Sequence, residues 1–224
     1  MIALIPLRGG SKGIPGKNIK PIAGRPLCTW VIDEAIKADI FDWIIVSTDC
    51  EKIARTVSSH IGPRVEILMR PPEISTDDSP TEEAMLHCAA EYPFDVMCLI
   101  QATSPLTEAY AFKAARAKFT SWGADSLLTV TELRKFVWTA YNDPLVEPVN
   151  YDPEDRPMRE GIMPVYIETG NFYFTTREVL VGTGSRLGGN IGRYIIDRSK
   201  AVDIDDMEDF KRAEMELNLR RRAH

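Results

Sequence analysis

The residues with the clearest chemical capacity lie near the amino terminus, in Arg8-Gly9-Gly10-Ser11-Lys12-Gly13-Ile14-Pro15-Gly16-Lys17-Asn18. This stretch directly follows an apolar run, Ile2 to Leu7, which reads as a buried strand. Glycines let backbone N–H groups turn toward an anion with no Cβ in the way. Arg8, Lys12 and Lys17 add three cations around one small volume. Many donors, several cations and a tight turn together suit a triphosphate. The segment is not a Walker A loop. Aligning Gly16-Lys17 with that motif puts Ser11 where the first glycine belongs and Asn18 where the metal-binding hydroxyl belongs. It is not Gly-x-Gly-x-x-Gly either, which disfavours a dinucleotide fold.

A second cluster lies near the other end, in Ala201-Val202-Asp203-Ile204-Asp205-Asp206. Read as a strand over 201–204, it sends Asp203 and Asp205 to one face. Two hard oxygen ligands beside phosphates suit Mg²⁺. Asp206 is placed to cap the helix that follows.

The elements that must position these groups alternate between apolar runs and helical patterns. That is the signature of a mostly parallel sheet covered by helices, a three-layer α/β/α fold with a Rossmann-like sheet. Strands are expected at Ile2–Leu7, Trp43–Ser47, Val65–Leu68, Val96–Ile100, Ser126–Val130, Phe172–Thr175, Tyr194–Ile196 and Ala201–Ile204. Helices are expected over Pro26–Ala38, Glu51–Ser59 with Asp49 as its cap, Pro80–Glu91, Thr107–Ser121 and Met207–Arg222. From Thr131 to Val165 the rhythm breaks, with Pro144, Pro148, Pro153, Pro157 and Pro164 and no clean period. A stretch of that length without structure suggests a lid or a subunit contact. The reading is a single domain over 1–224 with an irregular insertion at about 131–166.

Composition bounds the function classes. Hydrophobic residues are 44% and charged residues 27% of 224, an ordinary globular balance. Net charge is −6, which argues against a nucleic-acid partner; Arg220-Arg221-Arg222 reads as the cation-rich end of a last helix. No run of apolar residues is long enough to span a membrane, and the amino terminus lacks the basic leader of a signal peptide. Cys28, Cys50, Cys88 and Cys98 have no metal-site spacing, so reduced thiols in a cytoplasm are expected.

Taken together, these segments resemble the acylneuraminate cytidylyltransferases, the enzymes that make CMP-sialic acids. The resemblance runs over nearly the whole chain. It is carried most specifically by Arg8 to Asn18, and then by Val46-Ser47-Thr48-Asp49, Arg70-Pro71 through Ser79 and Thr81, Ile100-Gln101-Ala102-Thr103-Ser104-Pro105 and Val202-Asp203-Ile204-Asp205. Phe136-Val137-Trp138, Arg156-Pro157-Met158-Arg159 and Glu168-Thr169-Gly170-Asn171-Phe172-Tyr173 also align with family patterns. No appended phosphatase-like domain follows, so the single-domain members are the nearer pattern. Thr169 replaces an asparagine of the Glu-Asn-Gly-x-Phe-Tyr pattern, and Met158 replaces an arginine of some animal members.

The resemblance implies transfer of CMP from CTP to the anomeric hydroxyl of an acidic nine-carbon sugar, with release of pyrophosphate. Asp203 and Asp205 would hold Mg²⁺, and Arg8, Lys12 and Lys17 would stabilise charge on the phosphates. The nucleotide would be contacted by Arg8, Gly9, Gly10, Ser11, Asn18, Arg70, Ser79 and Thr81. The sugar would be contacted by Gln101, Arg156, Arg159 and Glu168, the two arginines taking its carboxylate. It further implies a homodimer whose irregular segment, with Phe136, Trp138, Tyr141 and Tyr151, reaches the partner's site. A transferase for the eight-carbon acid of lipopolysaccharide, a sugar-1-phosphate pyrophosphorylase and a non-catalytic nucleotide-sugar binding protein stay open as alternatives.

Overall fold

A computed structural model describes residues 1–11, 13–58, 62–142 and 144–223. In chain order the elements are β1 (Ile2–Leu7), the short pair β2 (Pro21–Ile22) and β3 (Arg25–Pro26), α1 (Leu27–Ala38), β4 (Trp43–Thr48), α2 (Glu51–Ser58) and β5 (Val65–Met69). Then come α3 (Thr81–Glu91), β6 (Val96–Ile100), α4 (Ala109–Ser121), β7 (Ser126–Leu133), β8 (Trp138–Asn142) and β9 (Leu145–Pro148). The chain closes with β10 (Val165–Thr176), α5 (Arg177–Thr183), β11 (Ile191–Ile195) and α6 (Met207–Ala223).

Seven strands form the central sheet in the order β11-β7-β10-β6-β1-β4-β5. All neighbours pair parallel except β10, which runs antiparallel to both β6 and β7. The sheet is therefore mostly parallel, as expected, and six strands end at one edge.

The period of two decides what each face buries. Ala3, Ile5 and Leu7 of β1 enter one apolar cluster, while Ile2 and Leu4 enter the other. Cys98 and Ile100 against Met97 and Leu99 of β6 repeat that division, as do Phe172 and Phe174 against Tyr173 of β10. The first cluster receives the helical stripes Cys28, Val31, Ile32, Ala35 of α1 and Ala111, Phe112, Ala115, Phe119 of α4, together with Ile53 and Val57 of α2. The second receives Met85, Cys88 and Ala89 of α3 and Leu180 of α5. Helices α1, α2 and α4 thus cover one face, and α3 and α5 the other. Chain order leaves β1 outward through β4 and β5, then returns to β6 on β1's other side. The crevice where that order reverses, between β1 and β6, is where open α/β sheets bind ligands.

Four expectations need correction. The segment 201–204 is not a strand, because no neighbouring strand offers it a ladder. Its alternation survives all the same: Val202 and Ile204 are buried with Ile14, Ile22, Leu27 and Phe210, while Asp203 and Asp205 face out. The stretch 131–165 is not structureless. β7 runs to Leu133, β8 and β9 form a hairpin, and β10 begins at Val165. Exposed strands with only one partner carry no apolar period, so their sequence does not announce them. Asp49 does not cap α2; its carboxylate accepts the Gly9 N–H at 2.8 Å. Helix α4 also starts at Ala109 rather than Thr107, whose hydroxyl donates to the Ser104 carbonyl. Among the described residues no helix is long and apolar enough to cross a membrane.

Phe172 joins the layers. It is fully buried, with ring centroids at 4.8 Å from Phe112 and 5.7 Å from Phe174. Phe172→Ala should cost about 3–5 kcal/mol, read from the urea unfolding midpoint. A loss under about 1 kcal/mol would mean that this ring does not carry the contact between α4 and the sheet.

Candidate functional site

The carboxyl edge of the sheet gathers the site. Arg8 follows β1, Asp49 follows β4 by one residue, Arg70 follows β5 and Gln101 follows β6. Each strand end delivers one polar group to the same edge because the four strands are parallel and in register. The cleft there has a volume of about 310 Å³. Its walls carry Arg8, Ser11, Gly13, Lys17, Asn18, Arg70, Ser79, Thr81, Gln101, Thr103 and Asp205. Lys12 lies outside the described residues.

Several bonds hold these groups in place. The Asn18 side chain donates to the Arg8 carbonyl at 2.9 Å, folding the loop back on itself. Asp49 holds the same loop from β4, a role no sequence pattern announces. A Cβ on Gly9 would meet the Cys50 Cβ at 2.9 Å, so the loop can lie this close to β4 only with glycine there. Arg70 donates to the Ser47 hydroxyl at 3.1 Å and the Ser47 carbonyl at 3.0 Å. Burial pushes its guanidinium down from the ordinary value, with Asp49 opposing and Arg8 adding to the shift. Two cations held this close to each other favour an anion between them.

The aspartate segment closes the far side. Lys17 donates to the Ile204 carbonyl at 2.6 Å and lies 3.9 Å from the Asp205 carboxylate. A Cβ on Gly13 would come within 2.5 Å of the Asp205 carbonyl oxygen, so loop and segment touch backbone to backbone. The Ile204 N–H donates to the Thr103 carbonyl at 2.9 Å, fixing the segment to the end of β6. Asp206 caps α6 as expected, accepting from the N–H groups of Glu208 at 2.8 Å and Asp209 at 3.0 Å. Burial pushes the Asp203 carboxyl up; a Thr103 hydrogen bond and Lys17 pull down, and the Asp205 and Asp209 charges push up. The pair carries more negative charge than Lys17 alone offsets.

Asp203 looks into an adjoining cleft of about 490 Å³, walled also by Thr131, Glu168, Gly170, Tyr173, Arg198 and Arg212. Glu168 reaches it through an irregularity in β10, where the register shifts between Glu168 and Tyr173 and Gly170 takes φ +71°. The Tyr173 hydroxyl donates to Glu168. Tyr173 itself packs under Arg186, whose guanidinium meets Glu82 at 2.6 and 3.0 Å. Buried Asn171 donates to the Thr107 hydroxyl at 2.9 Å and the Lys200 carbonyl at 3.3 Å, tying β10 to the loops around it. Tyr173 and Asn171 were legible only as part of a motif, since their partners are remote in sequence.

The structure does not bring every expected residue together. Gly9 and Gly10 form the loop but do not line the cleft. Arg156 is exposed on the 131–165 segment, its guanidinium 3.9 Å from the Phe136 ring centroid and 5.6 Å from that of Tyr151. Arg159 is exposed in a single 3₁₀ turn, Arg159–Gly161. Neither lines either cleft of this chain. Trp138 packs edge-on to Tyr151 at 5.7 Å, while the side chain of Tyr141 lies outside those described.

The family model for cytidylyltransferases matches residues 2–163. The chain belongs to the cytidylyltransferase family. It is 38% identical over 219 residues to N-acylneuraminate cytidylyltransferase A of Danio rerio, covering 96% of this chain and 50% of that one. The chain spans about half the length of the curated relatives it matches first. It is also 29% identical over 222 residues to the pseudaminic acid cytidylyltransferase of Campylobacter jejuni, covering 96% of this chain and 94% of that one. Among solved structures, a CMP:2-keto-3-deoxy-manno-octonic acid synthetase complexed with CTP superposes with a TM-score of 0.74. That similarity covers 98% of both chains at 13% identity, so it is a likeness of fold alone.

The two loop glycines separate close packing from open space. Gly13→Ala must displace the Asp205 backbone, whereas a Cβ on Gly10 meets nothing within 4 Å. Gly13→Ala should lower Tm by about 2–8 °C for a cost of about 1–2 kcal/mol, and Gly10→Ala should leave it unchanged, both read by calorimetry. Equal Tm values for the two variants would contradict the contact.

Proposed function

We propose that this chain transfers CMP from CTP to the anomeric hydroxyl of a sialic-acid-type nonulosonic acid, releasing pyrophosphate. The observation that carries this reading is the direct contact between the glycine loop and the aspartate segment at the mouth of one cleft. Membership of the cytidylyltransferase family and the N-acylneuraminate relatives support the nucleotide and the acceptor class.

The reaction is an in-line displacement at the α-phosphorus. It needs positioning and charge neutralisation more than covalent help from the protein. Arg8, Lys17 and Arg70 surround the triphosphate and favour the charge that develops on its oxygens and on the leaving pyrophosphate. Lys12 belongs to the same loop and the same role. Asn18, Ser11, Ser79 and Thr81 contact the nucleotide, and Gln101 the boundary with the sugar. Glu168, held by Tyr173, faces the acceptor.

Asp203 and Asp205 form a donor set that fits magnesium. They are two carboxylates on one side of an extended segment, incompletely offset by Lys17. Among the described residues no group of three or more acidic, His or Cys side chains forms a cage. Magnesium beside a nucleotide takes one or two carboxylates and the phosphates themselves. When bound, the ion supplies Lewis-acid stabilisation and a template for the phosphates.

A homodimer fits the 131–166 segment. Leu145, Val146, Val149, Met158 and Met163 are exposed along it, an apolar surface suited to a second copy. In such a dimer Arg156 and Arg159 would serve the partner's site. Free thiols at Cys28, Cys50, Cys88 and Cys98 fit a reducing compartment, the cytoplasm. The relative of similar length acts, by its name, on pseudaminic acid, which favours a bacterial di-amino acid as the second acceptor to examine.

Pyrophosphate release from CTP, measured across N-acetylneuraminate, its deaminated analogue, a di-amino nonulosonate and the eight-carbon acid, tests the assignment. A nine-carbon acid should be the preferred acceptor; preference for the eight-carbon acid, or no CTP consumption with any, would sink it. Asp203→Asn and Asp205→Ala should each lower the rate by about 100- to 1,000-fold, and chelation followed by added magnesium should abolish and restore turnover. Wild-type-like rates in Asp205→Ala would remove the metal role.

A further inference from the structure

We infer that Asn171 is a positioning residue: without lining either cleft, it sets where the aspartate segment stands relative to the turn that carries Gln101. The inference rests on the cytidylyltransferase reading of the site.

Asn171 is fully buried, yet three segments meet on it. Its backbone carbonyl accepts the Gln101 N–H at 3.1 Å. Its side-chain amide donates to the Thr107 hydroxyl at 2.9 Å and to the Lys200 carbonyl at 3.3 Å. The first two bonds grip both ends of the turn 101–107. That turn is closed within itself by the Ser104 N–H on the Gln101 carbonyl at 3.2 Å and the Thr107 hydroxyl on the Ser104 carbonyl at 2.8 Å. The third bond grips the residue from which the chain runs into Asp203 and Asp205. Turn and segment also meet directly, where the Ile204 N–H donates to the Thr103 carbonyl at 2.9 Å. Because 201–205 belongs to no strand ladder, its place rests on a few such bonds and on the small apolar cluster beneath it.

The orientation of the amide is forced. Lys200 presents a carbonyl, which can only accept, so the amide nitrogen must face it. Thr107 spends its one hydroxyl proton on the Ser104 carbonyl and is left to accept from Asn171. The nitrogen is therefore spent on two segments, while Oδ1 has no partner among the described residues. A buried acceptor without a partner costs stability. Packing alone would favour an apolar side chain between Gly170 and Phe172; joining the turn to the Lys200 backbone requires one that donates in two directions. Asn171 occupies the open position of the Glu-Asn-Gly-x-Phe-Tyr pattern, so this device belongs to the chain's own sequence.

Asn171→Ala, Thr107→Val and their double variant are compared with Thr175→Val. Thr175 is a buried hydroxyl of the same strand that bonds the Arg186 carbonyl instead and lines neither cleft. The first readout is hydrogen exchange of the metal-free protein, at a temperature where every variant is folded by circular dichroism. N171A and T107V should speed exchange across 101–107 and 201–206 by about 10-fold or more, and T175V should leave both at the wild-type rate. The second readout is turnover of CTP with N-acetylneuraminate. N171A should lower kcat by about 10- to 100-fold and raise the magnesium needed for half-maximal rate by about 10-fold. The KM for CTP should stay within about 3-fold of wild type. T107S keeps the hydroxyl and should restore the wild-type rate, and the double variant should lose less than the product of the single losses. Wild-type exchange at 201–206 in N171A, or a kcat loss no larger than that of T175V, overturns the inference. If N171A does not fold, T107V against T107S decides it by the same two readouts. Absence of CTP turnover by the wild type would defeat the proposed reaction instead, and exchange would still decide whether Asn171 holds the segment.

Discussion

The site exists because two backbone segments nearly two hundred residues apart can touch. Gly13 lies against the Asp205 carbonyl, and the Lys17 ammonium bonds the Ile204 carbonyl next to it. Any side chain at position 13 would force the segments apart. The contact costs little in itself, but it requires that Ile14, Val202 and Ile204 be buried together beneath it. That small apolar cluster, closed by α6, is the floor on which a cationic loop and an anionic pair are held face to face.

Holding opposite charges this close without letting them neutralise each other is the electrostatic problem the fold solves. Lys17 is largely engaged by a carbonyl, and Asp205 remains exposed at 3.9 Å from it. Arg8 and Arg70 repel one another across the cleft and are anchored separately, Arg70 through Ser47 and Arg8 through Asp77. The protein's own charges in the site are therefore incompletely balanced. Under the proposed reaction, a triphosphate with a divalent cation would relieve both excesses together.

The sheet supplies the stiffness this requires. Parallel strands β5, β4, β1 and β6 deliver one polar group each to the same edge, and the antiparallel β10 runs back past them to add Glu168 from the opposite direction. Antiparallel insertion is what lets one strand serve both the core, through Phe172 and Phe174, and the second cleft, through Glu168 and Tyr173. The irregularity at Gly170 reconciles the two duties within a single strand.

Sequence alone was enough for the features that depend on local chemistry. The glycine-and-cation loop, the Asp203 and Asp205 alternation, the Asp206 cap and the buried strands from Ile2 to Ile100 are written in residue type and spacing, because period and backbone freedom act over a few residues. Tertiary structure alone decided the rest. It assigned Asp49 to the loop instead of a helix, made the 201–205 segment a brace instead of a strand, and gave 131–165 a hairpin with no apolar period. It also left Arg156 stacked on an exposed segment while Arg198 and Arg212 entered a cleft. Those outcomes depend on which chain segments become neighbours, and a long-range contact leaves no mark on the residues beside it in sequence.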